Sequence, residues 1–447
     1  MGKILVVGSG LSGTSAVMLL KQAGKVPVLF DSNEKLGPEE IRAKLPKGSD
    51  VEIYTGVLPQ AVMAQIEMLI LSPGVPVDCE FVNSFRENGV KISGEIELAY
   101  TYDKGRLLAV TGTNGKTTTT ALLGAIMQDY NEQTFIVGNI GNPYTKAVPE
   151  SSRDSVTVAE ISSFQLETTE TFHPRVSAIL NITPDHLNRH HTLEQYIIEK
   201  EKIARNQTKE DAVVLNYEDP VTREFGSVTS ATPVYFSSRQ CLAEGFYLKD
   251  NKICMKQNGV ETELLFVEEL KIIGMHNIEN AMAAMAMAYA FGVPMESIIS
   301  SVKHFQAVAH RIEYVTEKKG VVYYNDSKAT NVDAAIKGIQ AMPGKTCLIG
   351  GGYDKGADYD EWIEAFDGKV KKLVLLGATA KNIAACAKKH GFQDFVFAES
   401  LEEAVEICAE NAEPGDAVLL SPACASWGMF ENYEQRGDIF KELVKKL

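Results

Sequence analysis

The sequence predicts an α/β protein of three domains, each a doubly wound and mostly parallel sheet. Apolar segments of strand length alternate with helical segments along the chain, as in parallel sheets. The 447 residues exceed what one hydrophobic core usually holds. The expected domains are a Rossmann-like domain at 1–93, a central P-loop domain at 94–307 and a second Rossmann-like domain at 308–447.

Composition narrows the classes of function. The net charge of −15 offers no basic surface for nucleic acid or for an anionic membrane. The seven cysteines include no CxxC pair, which is typical of thiols kept reduced in the cytoplasm. No apolar run reaches the roughly 18 residues of a membrane span. We therefore expect a cytoplasmic monomer that acts on small molecules.

The first domain carries a glycine-rich turn between a strand and a helix. Strands are expected at 3–7, 26–30, 51–54, 68–71 and 90–92, and a helix at 12–23. The run Gly8-Ser-Gly-Leu-Ser-Gly13 lies after the first strand, and Asp31 ends the second. This pattern suits a pyrophosphate and a ribose, so both NAD and a UDP-linked substrate fit it. A tight turn without a ligand is the structural alternative.

The second domain contains the strongest local signal, a phosphate-binding loop. An apolar strand at 107–110 leads into Gly-Thr-Asn-Gly-Lys-Thr-Thr at 112–118, and a helix is expected at 117–128. Backbone amides of such a loop surround phosphates, Lys116 neutralises them and the Thr117 hydroxyl binds Mg²⁺. The loop departs from the usual pattern because Val110 stands where the first glycine is expected.

Polar groups follow other strands of the same domain. Strands are expected at 156–160, 176–181 and 212–216, hairpins at 217–272 and a helix at 277–291. Glu160 ends one strand, and Asp185 with His186 follows another. A carboxylate and an imidazole beside a phosphate loop suit a metal site, although each residue alone reads as a cap or surface group. Lys200 alone reads as a solvated helix lysine.

The third domain has two polar turns at strand ends. Strands are expected at 321–325, 346–350, 372–376, 395–398 and 417–420, and the last helix at 433–447. His310-Arg311 opens the domain, and polar runs occupy 325–331 and 421–427. These runs are either helix caps or parts of a binding site.

The chain resembles the Mur ligases of peptidoglycan synthesis over all three domains. The resemblance is carried by the loop at 112–118, Glu160, Asp185-His186, Gly274-Met-His-Asn-Ile-Glu-Asn280 and His310-Arg311. Folylpolyglutamate synthetases share a looser version. Similarity to the members that add D-glutamate lies in Asn325-Asp-Ser-Lys-Ala-Thr-Asn331, Leu420-Ser-Pro-Ala-Cys-Ala-Ser426 and Glu434-Gln-Arg-Gly437.

The resemblance implies an ATP-dependent carbon–nitrogen ligase that joins D-glutamate to UDP-N-acetylmuramoyl-L-alanine through an acyl phosphate and a tetrahedral intermediate. It implies Mg²⁺ and a CO₂-derived carbamate on Lys200. The implied catalytic residues are Lys116, Glu160, His186 and Lys200, and the metal ligands are Thr117, Glu160, His186 and Lys200. The implied ATP contacts are Gly112, Thr113, Asn114, Gly115, Lys116, Thr117, Thr118, Asn277, Asn280, Arg311 and Asp326.

The same resemblance implies the two remaining substrate sites. Contacts to the UDP-linked substrate are Leu11, Ser12, Asp31, Ser32, Ser72, Pro73, Gly74, Asn139 and His186. Contacts to D-glutamate are Lys328, Thr330, Lys355, Ser426 and Tyr433. Tyr433 stands where the family often has phenylalanine, and Trp427-Gly-Met429 replaces a more polar triplet. Neither change removes a charge, so only details of the amino-acid pocket are affected.

Three rival interpretations remain at this point. Another Mur ligase or a folylpolyglutamate synthetase lacks the motifs of the third domain. An NAD-dependent oxidoreductase explains the turn at 8–13 but leaves the phosphate loop without a role. A non-catalytic nucleotide-binding regulator would not need Glu160, His186 and Lys200 together. Because the implied ATP contacts lie in two domains, we also expect the third domain to close about a hinge at 307–309.

Overall fold

The computed structural model describes residues 2–139, 141–306 and 308–447, and in these ranges the strands form three sheets. The first sheet has five strands in the order β3-β2-β1-β4-β5, all parallel. Its strands are β1 (Lys3–Val7), β2 (Pro27–Asp31), β3 (Glu52–Thr55), β4 (Ile66–Leu71) and β5 (Lys91–Gly94). Its helices are α1 (Leu11–Gln22), α2 (Pro38–Arg42), α3 (Gln60–Met63), α4 (Glu80–Glu87) and α5 (Glu95–Tyr102).

The second sheet has nine strands in the order β14-β13-β12-β11-β10-β9-β6-β8-β7. The strands are β6 (Arg106–Thr111), β7 (Thr134–Gly138), β8 (Val156–Glu160), β9 (Val176–Ile179), β10 (Ala212–Asn216), β11 (Thr232–Ser237), β12 (Gly245–Lys249), β13 (Lys252–Gln257) and β14 (Val260–Phe266). The helices are α6 (Lys116–Tyr130), α7 (Tyr144–Ala147), α8 (Ser163–Leu166), α9 (Leu187–His190), α10 (Leu193–Glu201), α11 (Pro220–Val228), α12 (Met275–Phe291) and α13 (Met295–His304).

The third sheet has six strands in the order β15-β16-β20-β17-β18-β19, with only the edge strand β15 antiparallel. The strands are β15 (Glu313–Lys318), β16 (Val321–Asn325), β17 (Thr346–Gly350), β18 (Val370–Leu375), β19 (Phe395–Phe397) and β20 (Ala417–Leu420). The helices are α14 (Val332–Ala341), α15 (Asp360–Glu364), α16 (Ala380–Lys389), α17 (Leu401–Asn411) and α18 (Tyr433–Lys446).

The predicted fold class is confirmed, and the differences lie at sheet edges. The hairpin prediction for 217–272 was partly wrong, because this stretch holds a helix and a strand, β11, that pairs in parallel with β10. The edge strands β7 and β15 were not predicted. β15 is only partly buried and rich in charge, so it lacks the apolar run on which the prediction relied. β7 does contain a short apolar run, 135–137, which the prediction overlooked.

The chain forms two compact units. One comprises Met1–Phe266 with Asn280–Val302, and the other comprises Val267–Glu279 with Lys303–Leu447. The expected domain bounds at 93/94 and 307/308 therefore stay a prediction. So does the hinge at 307–309, because Ala307 lies outside the described residues. In the described part of the chain, no helix is both long and apolar enough to cross a membrane.

Inside the first unit, one carboxylate ties the first sheet's helices to the central sheet. Glu97 on α5 is buried and accepts hydrogen bonds from the backbone amides of Glu170 (3.0 Å), Thr171 (2.7 Å) and Phe172 (3.1 Å). Three amide donors satisfy a buried carboxylate that would otherwise be costly. This contact holds α5 against the segment that precedes β9.

Candidate active site

The phosphate loop joins β6 to α6 in a conformation that requires glycine. Gly115 caps α6 at φ +86°, and a Cβ there would lie 2.2 Å from Asn280 Oδ1. No side chain caps the first turn of α6, and no acidic residue lies in it. Its backbone amides therefore face outward at the positive end of the helix, which is a ready site for phosphate. Asn280, an implied ATP contact, lies directly beside the loop.

A second strand end holds the loop in shape. Asn181 follows β9, and its Oδ1 accepts from the Asn114 amide (2.8 Å) while its Nδ2 donates to the Asn114 carbonyl (3.1 Å). The Thr113 hydroxyl lies 3.2 Å from Tyr196 Oη. Sequence reasoning did not select Asn181, although it lies in the same run as Asp185. Asn181 thus pairs with both the backbone amide and the backbone carbonyl of Asn114, and such a role can be recognised only from the fold.

Lys116 and Thr117 are the first two residues of α6, directly after the loop. Lys116 Nζ donates to the carbonyls of Gly112 and Thr113, both at 2.9 Å, so its charge lies over the loop. Thr117 and Thr118 are buried at the start of α6. This arrangement fits a nucleotide whose phosphates meet the loop amides and the Lys116 ammonium.

Glu160 is the best candidate for holding a cation next to those phosphates. It is 1% exposed, at the end of β8. Asn139 Nδ2 donates to Glu160 Oε1 at 2.8 Å, whereas Glu160 Oε2 is buried without a hydrogen-bond partner among the described residues. A buried carboxylate oxygen without a partner is costly unless a cation or water completes it. Asn139, an implied substrate contact, thus also orients Glu160.

His186 lies at the start of α9, in the segment that follows β9, and has a strained backbone conformation. Its φ of +54° is unusual for a residue with a side chain and is compatible with a functional constraint. Burial lowers the pKa of His186, and the positive charges of Lys116 and Lys200 lower it further. The negative charge of Asp185 raises the pKa but does not outweigh these effects. The imidazole is therefore neutral near pH 7, which is the state that binds metals.

The candidate ligands do not form a closed metal site. His186 Nε2 lies 3.5 Å from Asp185 Oδ2. In the ranges that the structure describes, Glu160 does not join these two side chains in one group of mutually close ligand atoms. The arrangement suits a cation that is also held by phosphate oxygens, as Mg²⁺ is at many nucleotide sites.

Lys200 is buried, so its simple interpretation as a solvated helix lysine is wrong. It is 1% exposed, its Nζ donates to the Gly112 carbonyl at 2.8 Å, and it lies 4.6 Å from the centre of the Tyr196 ring. Burial, together with the charge of Lys116, holds the pKa of Lys200 well below its ordinary value. A buried lysine beside a phosphate loop has a large share of neutral, nucleophilic amine.

The glycine-rich turn of the first domain is organised around Asp31. Asp31 Oδ2 accepts from the Ser9 amide (2.9 Å) and hydroxyl (2.5 Å), and Oδ1 accepts from the Asn33 amide (3.0 Å). Burial alone would raise the pKa of Asp31, but these hydrogen bonds outweigh it and lower the pKa. Ser72 Oγ lies 3.5 Å from the Gly8 carbonyl, so the turns at 8–13 and 72–74 adjoin.

The remaining implied contacts of this turn lie at its surface. Leu11 is exposed at the start of α1, Ser12 is half-buried behind it, and Ser32 is exposed after β2. Pro73 and Gly74 complete the neighbouring turn after β4. An open helix start beside an ionised carboxylate suits a pyrophosphate and a ribose.

Arg189 connects this turn to the His186 segment and was not found by sequence reasoning. Its Nη2 donates to the Val75 carbonyl (2.8 Å) and to Glu167 Oε2 (2.6 Å), and its Nε donates to Glu167 Oε1 (3.1 Å). Such a forked, half-buried pair is geometrically specific. It holds the turn that ends at Val75 at a fixed distance from His186. Its position three residues after His186 gave no signal, because an isolated arginine reads as a surface group.

In the second compact unit, Asp326 directly follows β16 and is buried. It accepts from the Ser421 hydroxyl (2.7 Å) and the Ile312 amide (3.3 Å). Burial raises the pKa of Asp326 to about 7, against the opposing effects of Ser421 and Arg311. Arg311 Nε is buried without a hydrogen-bond partner among the described residues. Arg311 Nε would therefore be satisfied by a polar ligand that accepts a hydrogen bond.

Two lysines of this unit lie against aromatic rings near the polar turns. Lys328 Nζ is 5.2 Å from the Tyr433 ring centre, and Lys355 Nζ is 4.8 Å from that of Trp427. Thr330 is half-buried beside Lys328, and Ser426 is buried in the other turn. The aromatic faces favour the charged ammonium groups and fix their positions. Trp427, which lies where the family has a more polar triplet, therefore positions Lys355.

Arg436 joins the two polar turns. Its guanidinium donates to Ser327 Oγ (2.9 Å), to the Ser327 carbonyl (2.7 Å) and to the Cys424 carbonyl (3.1 Å). It is 2% exposed, and burial lowers its pKa to about 10. Its motif, residues 434–437, is part of the family resemblance, but the sequence indicated no role for Arg436. Asn277 also belongs to this unit, where its Nδ2 donates to the Ile273 carbonyl at 2.8 Å.

Three family descriptions match consecutive parts of the chain. They are "Mur ligase MurD-like, N-terminal domain" over 2–94, "Mur ligase middle domain" over 110–288 and "Mur ligase, glutamate ligase domain" over 310–424. A Lachnospira eligens protein named UDP-N-acetylmuramoylalanine–D-glutamate ligase is 54% identical over 444 residues, which are 99% of this chain and 98% of the relative. A Clostridioides difficile protein of that name is 43% identical over 448 residues, at 100% and 98% coverage.

Two solved structures share the fold. UDP-N-acetylmuramate-alanine ligase MurC from Thermotoga maritima has a TM-score of 0.63 at 20% identity, with both chains fully covered. MurF ligase from the same organism, solved with ADP, has a TM-score of 0.61 at 16% identity, with 100% of this chain and 96% of that chain covered. Both are three-domain proteins with the same arrangement of mostly parallel sheets.

Proposed function

The chain belongs to the Mur ligase family, and from this premise we propose that it joins D-glutamate to UDP-N-acetylmuramoyl-L-alanine, with ATP giving ADP and phosphate. It is an ATP-dependent ligase of peptidoglycan precursor synthesis. The observation that carries the proposal is the group around the phosphate loop. Lys116 on α6 and Lys200 on α10 both donate to the Gly112 carbonyl, and Glu160 ends the adjacent strand β8. Neither an oxidoreductase nor a passive nucleotide-binding protein needs this set.

The chemistry explains why such a group is needed. A carboxylate is a poor electrophile, so its oxygen first attacks the γ-phosphorus of ATP and ADP leaves. The amine of D-glutamate then attacks the acyl phosphate, a tetrahedral intermediate forms, the amine loses a proton and phosphate departs. Both steps bring anions together, and Lys116 with the loop amides would stabilise the negative charge that develops.

Mg²⁺ fits the residues present, as the partnerless Glu160 Oε2 indicates. We propose Thr117, Glu160, His186 and a carbamate on Lys200 as its protein ligands. When bound, the ion withdraws charge from the phosphoryl oxygens. Lys200 would gain its carbamate when its neutral amine attacks CO₂ and loses a proton. The protonated amine cannot bind Mg²⁺. The carbamate that replaces it offers two oxygens, which can.

The other proposed contacts follow the organisation of each unit. Asp31 and the turns at 8–13 and 72–74 would bind the UDP part of the substrate, and Asn139 would bind nearer the reacting end. Lys328, Thr330, Lys355, Ser426 and Tyr433 would bind D-glutamate. Arg311 and Asp326 would bind ATP together with Asn277 and Asn280. We also propose that the enzyme acts in the cytoplasm, as a monomer.

A panel of amino acids tests the acceptor. With ATP and UDP-N-acetylmuramoyl-L-alanine, we expect product with D-glutamate and none with L-lysine or diaminopimelate. Lys328 and Lys355 suit two carboxylates, whereas a cationic acceptor side chain meets like charge there. L-Glutamate could bind one of the two lysines through a carboxylate, but its amine would then point away from the acyl phosphate. Phosphate release and mass spectrometry of the product measure the outcome.

Lys355→Ala is the matched variant for this pocket. It should raise the KM for D-glutamate by about tenfold or more, which corresponds to about 1.4 kcal/mol, and leave ATP binding unchanged. Lys381→Ala, which alters an exposed lysine of α16, is the control and should behave as wild type. Comparable turnover with L-lysine or diaminopimelate would assign the chain to a different acceptor and refute the proposal.

A further inference from the structure

A compact group of soft and hard ligands lies in the third domain, outside every site described above. It comprises Asp360 at the start of α15, Cys386 on α16 and His390, the residue that caps the C-terminus of α16. Cys386 Sγ lies 3.0 Å from Asp360 Oδ1, and His390 Nε2 lies 2.8 Å from the same oxygen. All three ligand atoms lie within 4.8 Å of one another. Within the described ranges, this is the one group of three or more such ligands so close together.

The spacing makes the group a chelate. Cys386 and His390 are four residues apart, so they lie on one face of the helix, one turn apart. Their sulfur and imidazole nitrogen point at the same carboxylate oxygen from a second helix. In a tetrahedral site with bonds of about 2.0–2.3 Å, ligand atoms lie roughly 3.3–3.8 Å apart. The two distances to Asp360 Oδ1, 3.0 Å and 2.8 Å, would each have to lengthen by about 0.5 Å to admit an ion between the three ligands.

Neighbouring groups support a bound cation. Glu364 Oε1 lies 3.6 Å from His390 Nδ1, the imidazole nitrogen that would not bind the ion. At this distance Glu364 makes no hydrogen bond, but a small side-chain shift would let its carboxylate accept from the outer nitrogen, as carboxylates do at many metal-binding histidines. Lys389 Nζ lies 2.6 Å from Asp360 Oδ2 and leaves Oδ1 for the cation. A thiolate and a carboxylate neutralise a divalent ion.

We propose that Asp360, Cys386 and His390 bind one divalent cation of the zinc class. Thiolate and imidazole ligands select a borderline-soft ion over Mg²⁺ or Ca²⁺. Three protein ligands leave one tetrahedral position for water. On binding, the Cys386 thiol gives up its proton as the metal–sulfur bond forms, and His390 binds through its neutral Nε2.

The site would fasten two helices that follow the Lys355 segment. Residues 351–359 lead from β17 to α15, and Tyr359 Oη lies 3.2 Å from Cys424 Sγ in the second polar turn. Thr379, just before α16, lies 3.3 Å from the same sulfur. A cation between α15 and α16 would therefore restrict the segment that carries Lys355. The metal site itself does not depend on the proposed ligase function, because it rests on these three side chains alone.

Cobalt(II) titration of the full-length protein tests the site. Excess Mg²⁺ is present to occupy the oxygen ligands near Glu160, and nucleotide is left out because its phosphates would bind Co²⁺. One equivalent of Co²⁺ should produce a thiolate-to-cobalt charge-transfer band and the visible absorption of tetrahedral cobalt. Cys386→Ser should abolish the band, and His390→Gln should weaken Co²⁺ binding at least about tenfold. Cys241→Ser, at an exposed cysteine elsewhere, should leave the spectrum unchanged.

A second measurement guards against loss of fold. Zn²⁺ at a hundredfold excess over its Kd should raise the Tm of the wild type, because it binds the folded state, and should not raise that of Cys386→Ser. If the wild type shows no thiolate band at one equivalent, the proposal is overturned whatever the variants do. A band that persists in Cys386→Ser also overturns it, since the sulfur ligand would then lie elsewhere.

Discussion

Replacing Lys116 by alanine is expected to lower turnover by about 100- to 1,000-fold and to leave the fold intact. The Lys116 ammonium lies over the phosphate loop, 2.9 Å from the carbonyls of Gly112 and Thr113. Removing one preorganised group that stabilises developing negative charge costs about 3–4 kcal/mol of transition-state stabilisation. Steady-state phosphate release measures the loss, and circular dichroism checks the fold.

Lys209→Ala is the matched control, because Lys209 is an exposed lysine of the same domain. It should keep wild-type turnover. Turnover of Lys116→Ala within about tenfold of wild type, a difference of only about 1.4 kcal/mol, would show that the loop at 112–118 does not stabilise the transferred phosphate.

Lys200→Met is expected to reduce ligation at least about 100-fold, because a metal ligand beside the phosphates is lost. Methionine fills a similar volume, so the buried position should stay packed. Lys200 is almost fully buried and lies 2.8 Å from the Gly112 carbonyl, so its substitution acts next to the loop. Lys209→Met is the control.

The carbamate adds a second expectation for the same residue. The lowered pKa of Lys200 leaves a larger share of neutral amine near pH 7, and the neutral amine is the form that reacts with CO₂. Wild-type activity should fall when CO₂ is stripped from the buffer and return on addition of bicarbonate. The residual activity of Lys200→Met should not respond. If wild-type activity changes with neither treatment, the proposed carbamate on Lys200 is contradicted. The assignment of the phosphate loop does not depend on this result.

The extent to which the fold was predictable depended on burial. Strands such as β8 and β17 are buried along their full length, and their apolar runs predicted their bounds. The edge strand β15 exposes glutamate and tyrosine side chains, so its pairing with β16 is visible only in the fold. The parallel pairing of β11 with β10 likewise depends on tertiary contacts, since a hairpin pattern suits the same residues.

The candidate site was predictable where local backbone geometry demands a residue type. Gly115 at φ +86° is such a case, because a side chain there would meet Asn280. The burial of Lys200 was not predictable from its charged helix, since its side chain becomes internal only when the phosphate loop lies against the helix. Arg189 and Arg436 act by joining distant segments, so no local pattern marked them.

Transfer of ¹⁸O from the substrate carboxylate tests the central claim most directly. UDP-N-acetylmuramoyl-L-alanine labelled at both carboxylate oxygens is incubated with ATP, D-glutamate and the enzyme, and the released phosphate is weighed by mass spectrometry. Ligation through an acyl phosphate moves one labelled oxygen into each phosphate and leaves the other in the new amide. Unlabelled phosphate would exclude the acyl phosphate, and labelled AMP with pyrophosphate would show an adenylate, so either result would contradict the proposed ligase mechanism.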